Sequence, residues 1–391
     1  MKKTFLLIEW IVFLSSTIQL NAEEKVTEKN ALQVDRAKMF NPIVVLEAWA
    51  TYSHGEMEES EACDERSNIY LRRMRFGASG QPYSFLKYSF MMHFDRIGED
   101  EFSATKGSYN GVGLWNAYTT LKVLKKSELL NVHLGYFWSA VSRDYMTSPW
   151  AVGSFDKSYS TYYLRHFITG AGNGITSGAG LGGLKNFEHM GLNYRLGVYA
   201  PDSYSSSEHS DRLYTARVMW SIGDPEQKKY KYMVSGNHWS QRKGITFALG
   251  ASTQKNGKLS ETLFFDESKT YGGDILINYE GFNLTWEYYK MKRTAQAYES
   301  FEGTAMNLRA GYNIKMGTTF VEPNVSYDSY QASGDATLYK FVGDDNTFDF
   351  GVNWYINKDK LKVSLHYVMQ EGSVASCNIG DYVGLACQFK L

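Results

Sequence analysis

Over almost the whole chain apolar and polar side chains alternate one by one, and a period of two admits little besides extended strands with one greasy and one wettable face. The C-terminal third shows the pattern most cleanly. Phe348, Phe350, Val352, Trp354 and Ile356 alternate with polar Asp349, Asn353 and Tyr355; Asn357 to Lys360 reads as a turn; Leu361, Val363, Leu365, Tyr367 and Met369 then resume. Each limb has the roughly 9–11 residues that a tilted strand needs to cross a bilayer. The signature recurs at Leu86, Tyr88, Phe90, Met92, Phe94, at Leu130, Val132, Leu134, Tyr136, Trp138, and at Tyr214, Ala216, Val218, Trp220, Ile222. Leu284, Trp286, Tyr288 and Leu308, Ala310, Tyr312, Ile314 add two more, and Val383, Leu385, Cys387, Phe389, Leu391 form a last strand.

Connections alternate between short and long. Gly80-Gln81-Pro82, Glu280-Gly281, Met316-Gly317 and Asn357 to Lys360 read as tight turns. Long polar stretches fall near His54 to Ser67, Arg96 to Gly111, Val141 to Ser160, Ala200 to Ser210, Lys255 to Thr270, Arg293 to Gly303, Gln331 to Asn346 and Glu371 to Asn378. Eight long loops imply sixteen strands, and the expected fold is all-β: a closed antiparallel transmembrane barrel of the outer-membrane type. Closure removes edge strands that hydrocarbon cannot satisfy. A packed β-sandwich uses shorter strands, of about five or six residues. The stretch from Gly223 to Lys243 is treated as an elaborated turn, because counting Tyr230, Tyr232 and Val234 as a strand upsets the up-down parity.

Residues 1–22 read as a signal peptide: Lys2 and Lys3, a largely apolar run from Phe5 to Leu20, and a small-residue site at Leu20-Asn21-Ala22. Residues 23–42 are expected as a short periplasmic segment and 43–391 as the barrel. No later stretch offers the approximately 18 apolar residues of a membrane helix, and the mean hydropathy of −0.38 agrees. Tyr 29, Phe 22 and Trp 9 against Pro 6 suit a barrel with aromatic girdles. Removing Lys2, Lys3 and Glu9 from 41 basic and 42 acidic residues leaves a formal charge of −2, which argues against nucleic acid as a partner.

Several short motifs carry a family likeness. They are Leu71-Arg72-Arg73-Met74-Arg75-Phe76 followed by the Tyr83 to Asp95 strand, Trp115-Asn116-Ala117-Tyr118 leading into Leu134-Gly135-Tyr136-Phe137, and Tyr194-Arg195-Leu196-Gly197-Val198-Tyr199. Trp286-Glu287-Tyr288 and Gly351-Val352-Asn353-Trp354-Tyr355-Ile356 complete the set. In these the chain resembles the phosphate-selective porin O and P family in its Bacteroidota-type form. The resemblance implies a sixteen-stranded channel, commonly trimeric, with basic side chains in the lumen. An evident lysine ladder is missing, which departs from the strongly anion-selective members.

If the alternating apolar sets face lipid, their neighbours face water. Lys87, Arg195, Arg217 and Arg309 then point inward, as do Arg73 and Arg75, and so do Glu287, Glu322, Asp328 and Asp349. Bases dominate the first half of the chain and carboxylates the second, so they are expected either to set a transverse field across the lumen or to pair with one another. Cys63 and Cys377 fall in the first and last outer loops, which closure brings together, so a Cys63–Cys377 disulfide is expected, with Cys387 a free thiol on the last strand. The run Glu56, Glu58, Glu59, Glu61, Asp64, Glu65 reads as a solvated acidic loop, the alternative being a divalent-cation site.

Gly178-Ala179-Gly180-Leu181-Gly182-Gly183 spells a dinucleotide fingerprint without its strand and helix, and is read instead as a flexible connection or a segment folded into the pore. No hydrolase elbow, zinc-protease helix or P-loop occurs. His238 with Ser240, or His366, is read as a polar lumen or interface residue. The expected function is passive passage of small hydrophilic solutes, anionic or phosphate-like among them, across the bacterial outer membrane, without catalysis or cofactor. Outer-membrane lipid and lipopolysaccharide, a homotrimer or other outer-membrane proteins are the expected partners. The alternative is a structural or partner-binding barrel subunit without an open pore.

Overall fold

The computed structural model describes residues 38–53, 66–99, 111–201, 212–260, 262–296, 298–374 and 380–391. Its strands are β1 Asn41–Ser53, β2 Arg66–Tyr83, β3 Leu86–Asp95, β4 Gly111–Lys122, β5 Asn131–Trp138, β6 Ile175–Asn186, β7 Met190–Ala200, β8 Leu213–Gly223 and β9 Gly244–Lys258. They continue with β10 Phe264–Tyr279, β11 Phe282–Thr294, β12 Phe301–Tyr312, β13 Ile314–Met316, β14 Thr319–Ser333, β15 Gly343–Tyr355, β16 Leu361–Gly372 and β17 Tyr382–Lys390. Both β12 and β13 pair with β14 on either side of Asn313, so together they are one stave, and the described residues form sixteen. Each neighbour pairs antiparallel, and β1 closes the ring by pairing with β17 from Val45↔Lys390 to Ser53↔Tyr382.

Alternation decides which face meets what. Along β8 Tyr214, Val218, Trp220 and Ile222 are exposed, whereas Thr215, Arg217, Met219 and Ser221 are buried in the interior. The same inversion of the usual soluble pattern holds at Phe348, Phe350, Val352 and Trp354 of β15 and at Val383, Leu385 and Phe389 of β17. A ring of exposed apolar side chains around a polar interior is what a closed barrel needs in hydrocarbon. Cys387 is free and exposed on this outer face. The short connections define the periplasmic end. Glu280 and Gly281 join β10 to β11 with φ of 46° and 101°, the doubly positive pair of a tight hairpin turn.

Four details differ from the expectations. The first turn is Ser84-Phe85 and not Gly80-Gln81-Pro82, because β2 runs on to Tyr83 and the Gln81 N–H donates to Lys38 O at 2.8 Å, beside the start of β1. The strand β1 itself begins at Asn41, two residues before the expected barrel start. Gly178 to Gly183 is neither a flexible connection nor a pore segment but the body of β6. Trp138, expected on the lipid face, is buried with its ring 6.1 Å from that of Trp115, past Gly135, whose φ of 131° interrupts the alternation.

The glycines of β6 make room for rings on the inner face. A Cβ on Gly182 would lie 1.8 Å from the Tyr230 hydroxyl, which sits 2.9 Å from His133 Nε2. Gly182→Val is therefore expected to push Tyr230 out of its seat and to cost about 1–3 kcal/mol, as overpacking does. Chemical unfolding in detergent checks this; an unchanged midpoint contradicts it.

Candidate functional site: the charged lumen and its inserted segment

Residues 139–174, between β5 and β6, do not stay outside. They turn into the barrel, carrying the helices α1 Arg143–Met146 and α2 Tyr159–Thr169, both of them buried. Local capping builds each helix: Ser142 Oγ accepts from Tyr145 N and Ser158 Oγ from Thr161 N, while Gly170 ends α2 at a φ of 75°. A segment folded into the pore was thus expected from the sequence but assigned to the wrong residues. Period-two reading overlooks Tyr159–Thr169, whose rings follow a helical spacing; the capping serine before them is the signal that could have found it.

A second insertion comes from the opposite end. Residues 224–243, between β8 and β9, form the elaborated turn expected there, with Tyr230, Tyr232 and Val234 buried. Val234 N donates to Met146 O at 3.3 Å, joining the two insertions.

Charged groups fasten the inserted segment to the wall. At β2 the register slips between Glu47 and Ala48 of β1, leaving one extra residue, and this bulge turns both Arg72 and Arg73 inward. Arg72 Nη2 donates to Asp156 Oδ2 at 3.0 Å, Arg73 pairs with the same carboxylate, and Arg73 Nη1 reaches Glu47 Oε2 at 2.8 Å. Arg72, which strict alternation puts on lipid, is the residue the sequence reading missed. Across the lumen, Arg143 forks onto Glu226 with two bonds of 2.9 Å and donates from Nε to Asp274 at 3.0 Å. Asp274 also accepts two bonds from Arg217, at 2.6 and 2.9 Å. Glu287 accepts from Asp144 N and Thr161 Oγ1, both at 2.9 Å, and Asp349 from Phe155 N at 2.7 Å.

The remaining expected lumen residues are placed as follows. Arg75 is buried, pairs with Asp95 at 2.5 Å and stacks over Trp115 at 3.5 Å. Arg195 is buried and donates to Asn193 Oδ1 and Lys231 O. Lys87 lies on the inner face of β3 but is exposed, in a wide cavity at the periplasmic end. Glu322 is buried and accepts from Tyr355 OH at 2.6 Å; Asp328 accepts from Tyr159 N at 3.2 Å. Arg309 meets Asp144 at 3.4 Å. Of the two outcomes expected for opposed charges, the side chains of Arg73, Arg75, Arg217 and Arg309 take the pairing one, several through partners on the inserted segment. His366 Nδ1 lies 2.5 Å from Asp349 Oδ1, and its Nε2 3.2 Å from Asn353, a polar wall contact. Cys63, Cys377 and the acidic run from Glu56 to Glu65 lie outside the described residues, although the strand ends flanking the two cysteine loops are neighbours at Ser53↔Tyr382.

Between the segment and the β11–β14 wall is a narrow cavity of about 40 Å³, whose lining includes Arg143, Asp144, Glu287, Arg309 and Glu322. That volume holds a few waters. Spare hydrogen-bonding capacity around the lumen includes arginine donors as well as acceptors such as Asn324 Oδ1 at this cavity and Gln388 Oε1. Arg309 Nε and Nη2, Arg75 Nη1, Arg195 Nε and Arg217 Nε meet no protein acceptor, whereas Asp144, Asp274, Glu287, Glu322 and Asp349 all accept bonds.

Lys157 on the inserted segment is buried, and its Nζ donates to the carbonyls of Tyr145 and Thr147 at 3.2 and 2.9 Å. Burial pushes its pKa down to about 7, against the opposing pull of Asp144 and Glu287 and with Arg165 and Arg309 reinforcing the fall. Between pH 7 and the ordinary lysine range the unfolded chain binds more protons at this site, so Lys157 adds stability as pH rises through that window. Lys157→Met is expected to flatten this rise, measured as the unfolding midpoint at pH 7 and pH 10; an identical slope in both proteins contradicts it.

Comparison with known proteins places this architecture. The family model described as phosphate-selective porin O and P matches residues 46–378. No curated protein matches in sequence. Among solved structures, an anion-selective porin from Comamonas acidovorans superimposes with a TM-score of 0.59 at 13% identity, over 90% of this chain and 100% of that one. Salmonella typhi OmpF in complex with daunomycin gives 0.57 at 10% identity, over 90% and 98%. OmpT of Vibrio cholerae in its trimer form gives 0.54 at 10% identity, over 90% and 99%.

Proposed function

This chain belongs to the phosphate-selective porin O and P family and forms a channel for passive diffusion in the bacterial outer membrane, and we propose that it admits small hydrophilic solutes with a preference for anions. The observation that carries the preference is Arg309, a lining residue of the narrow cavity with two guanidinium nitrogens, Nε and Nη2, whose N–H groups no protein atom accepts. A buried donor without a protein partner is satisfied by what the water-filled lumen brings to it, and an anion does so best. Of the carboxylates at this cavity, Glu287 accepts from the inserted segment, Asp144 pairs with Arg309 and Glu322 accepts from Tyr355 of the wall. Arg73, Arg75, Arg195, Arg217, Glu287, Glu322 and Asp349 then act as pore-lining groups, with Lys87 on the periplasmic approach. No residue performs a reaction, and passage needs no cofactor.

The same reading includes export through residues 1–22, contact with lipid and lipopolysaccharide outside the barrel, and a homotrimeric assembly of the kind in which OmpT of Vibrio cholerae is described. The short motifs around Arg73, Arg195 and Glu287 support the Bacteroidota-type branch of the family.

Reversal potentials in a salt gradient test the preference. A unit charge about 4 Å from an ion in water is worth about 1 kcal/mol, attractive for an anion and repulsive for a cation, so Arg309→Ala should lower the anion-to-cation permeability ratio by at least about fivefold. An unchanged ratio removes Arg309 from the account.

A further inference from the structure

The periplasmic approach holds a second, larger space. A cavity of about 770 Å³ opens between the walls of β1 to β5 and the 224–243 connection, within the size range of small-molecule sites. Four lysines reach it: Lys38 just before β1, Lys87 from β3, Lys231 from the connection and Lys390 from the inner face of β17. Among the described residues no aspartate or glutamate side chain lines it. The opposite character of its surface comes from rings, chiefly Tyr118, Trp138 and Trp150. Lys390 Nζ lies 5.0 Å from the Trp150 ring centroid, so cationic and aromatic groups are interleaved there rather than segregated.

We propose that this cavity is a binding site for solutes joining one anionic group to a flat apolar body, an aryl carboxylate being the simplest. Ammonium groups gathered round one cavity repel one another, Asp359 moderating this at Lys390, and an entering anion relieves the repulsion. A bare inorganic anion answers the lysines but leaves the ring wall wet, and a neutral ring does the reverse; a planar anion satisfies both surfaces at once. The narrow cavity beside Arg309 offers an anion its unaccepted donors but is too small for the flat body. The wider site would concentrate such solutes next to the constriction.

The inference rests on the anion-favouring reading above and adds a class of solute to it. Equilibrium binding of benzoate to the purified full chain in detergent tests it, read as the excess over protein-free micelles, with acetate and benzyl alcohol as controls. Benzoate should bind at least tenfold more tightly than either. Lys87→Gln combined with Lys231→Gln should weaken it at least fivefold while the heat-resistant compact band of the folded barrel persists on gels; both side chains are exposed, so the fold does not depend on them. Tyr118→Ser should weaken benzoate and leave acetate unchanged. Benzoate binding no tighter than benzyl alcohol, or unaltered in the double variant, overturns the proposal. Because binding is measured without current, a sealed pore that still binds benzoate refutes only the channel reading, and a conducting pore that does not bind it refutes only this one.

Discussion

Replacing residues 142–170 by a short glycine-serine linker raises the single-channel conductance severalfold and weakens ion selectivity. The replaced stretch carries both helices, the rings of Tyr159, Tyr162, Tyr163 and Phe167, and the partners Arg143, Asp144 and Asp156 of the wall charges. Its removal leaves a tube whose inner faces are polar and wettable, and pore radius together with the charge on the inner face then sets passage. Glu287 and Asp349 lose the backbone donors that engage them, so the anion preference should fall as well. Planar-bilayer recording at high salt reads both effects. The wall pairs remain, Arg75 with Asp95 on adjacent staves and Arg217 with Asp274 across the intervening β9, so the barrel should still form. Conductance equal to that of the intact chain would show that the segment does not limit flow.

The second large effect is on stability. Asp274→Ala should destabilise the barrel by about 3–5 kcal/mol, because it strips a shared carboxylate from two buried guanidinium groups and leaves their charge uncompensated. Asp274 sits between Arg143 of the inserted segment and Arg217 of β8, with no solvent exposure of its own side chain. Arg217→Met added to Asp274→Ala should recover most of the loss, since a cation and its partner are then removed together and Arg143 keeps Glu226. Urea unfolding followed by tryptophan fluorescence measures both. A loss below about 1 kcal/mol for the single variant would mean that water reaches this pair and screens it, as at exposed sites.

What could be read from the sequence divides along a physical line. Wherever one face of a strand meets lipid, the lipid enforces alternation, and Phe348 to Met369 or Tyr214 to Ile222 announce themselves with little ambiguity. The parity of long and short connections followed from the same pattern. The interior obeys a weaker rule. A bulge moves Arg72 onto the same face as Arg73, and nothing in a period-two reading marks where a register slips. Tyr159–Thr169 packs inside a barrel rather than on a core of its own, so its apolar residues looked like those of one more outer loop. The glycines of β6 misled for a related reason: Gly178 and Gly182 are small because Tyr199 and Tyr230 press on them, not because the chain is mobile. Sequence identified Arg73, Arg217 and Glu287 as inward, but the partners Asp156 and Asp144 depend on how the inserted segment enters the barrel, and Asp274 on a pairing that skips a stave.

The central claim is that water and small solutes pass the inserted segment. Swelling of liposomes carrying the purified wild-type chain, placed in isosmotic solutions of small hydrophilic solutes of graded size, tests it most directly. The account predicts swelling that is fast for the smallest solutes, falls steeply with size, and is faster for an organic anion than for a cation of similar bulk. Liposomes that hold their volume in every solute, with the folded barrel verified in the same membranes, would contradict it and leave a sealed barrel in its place.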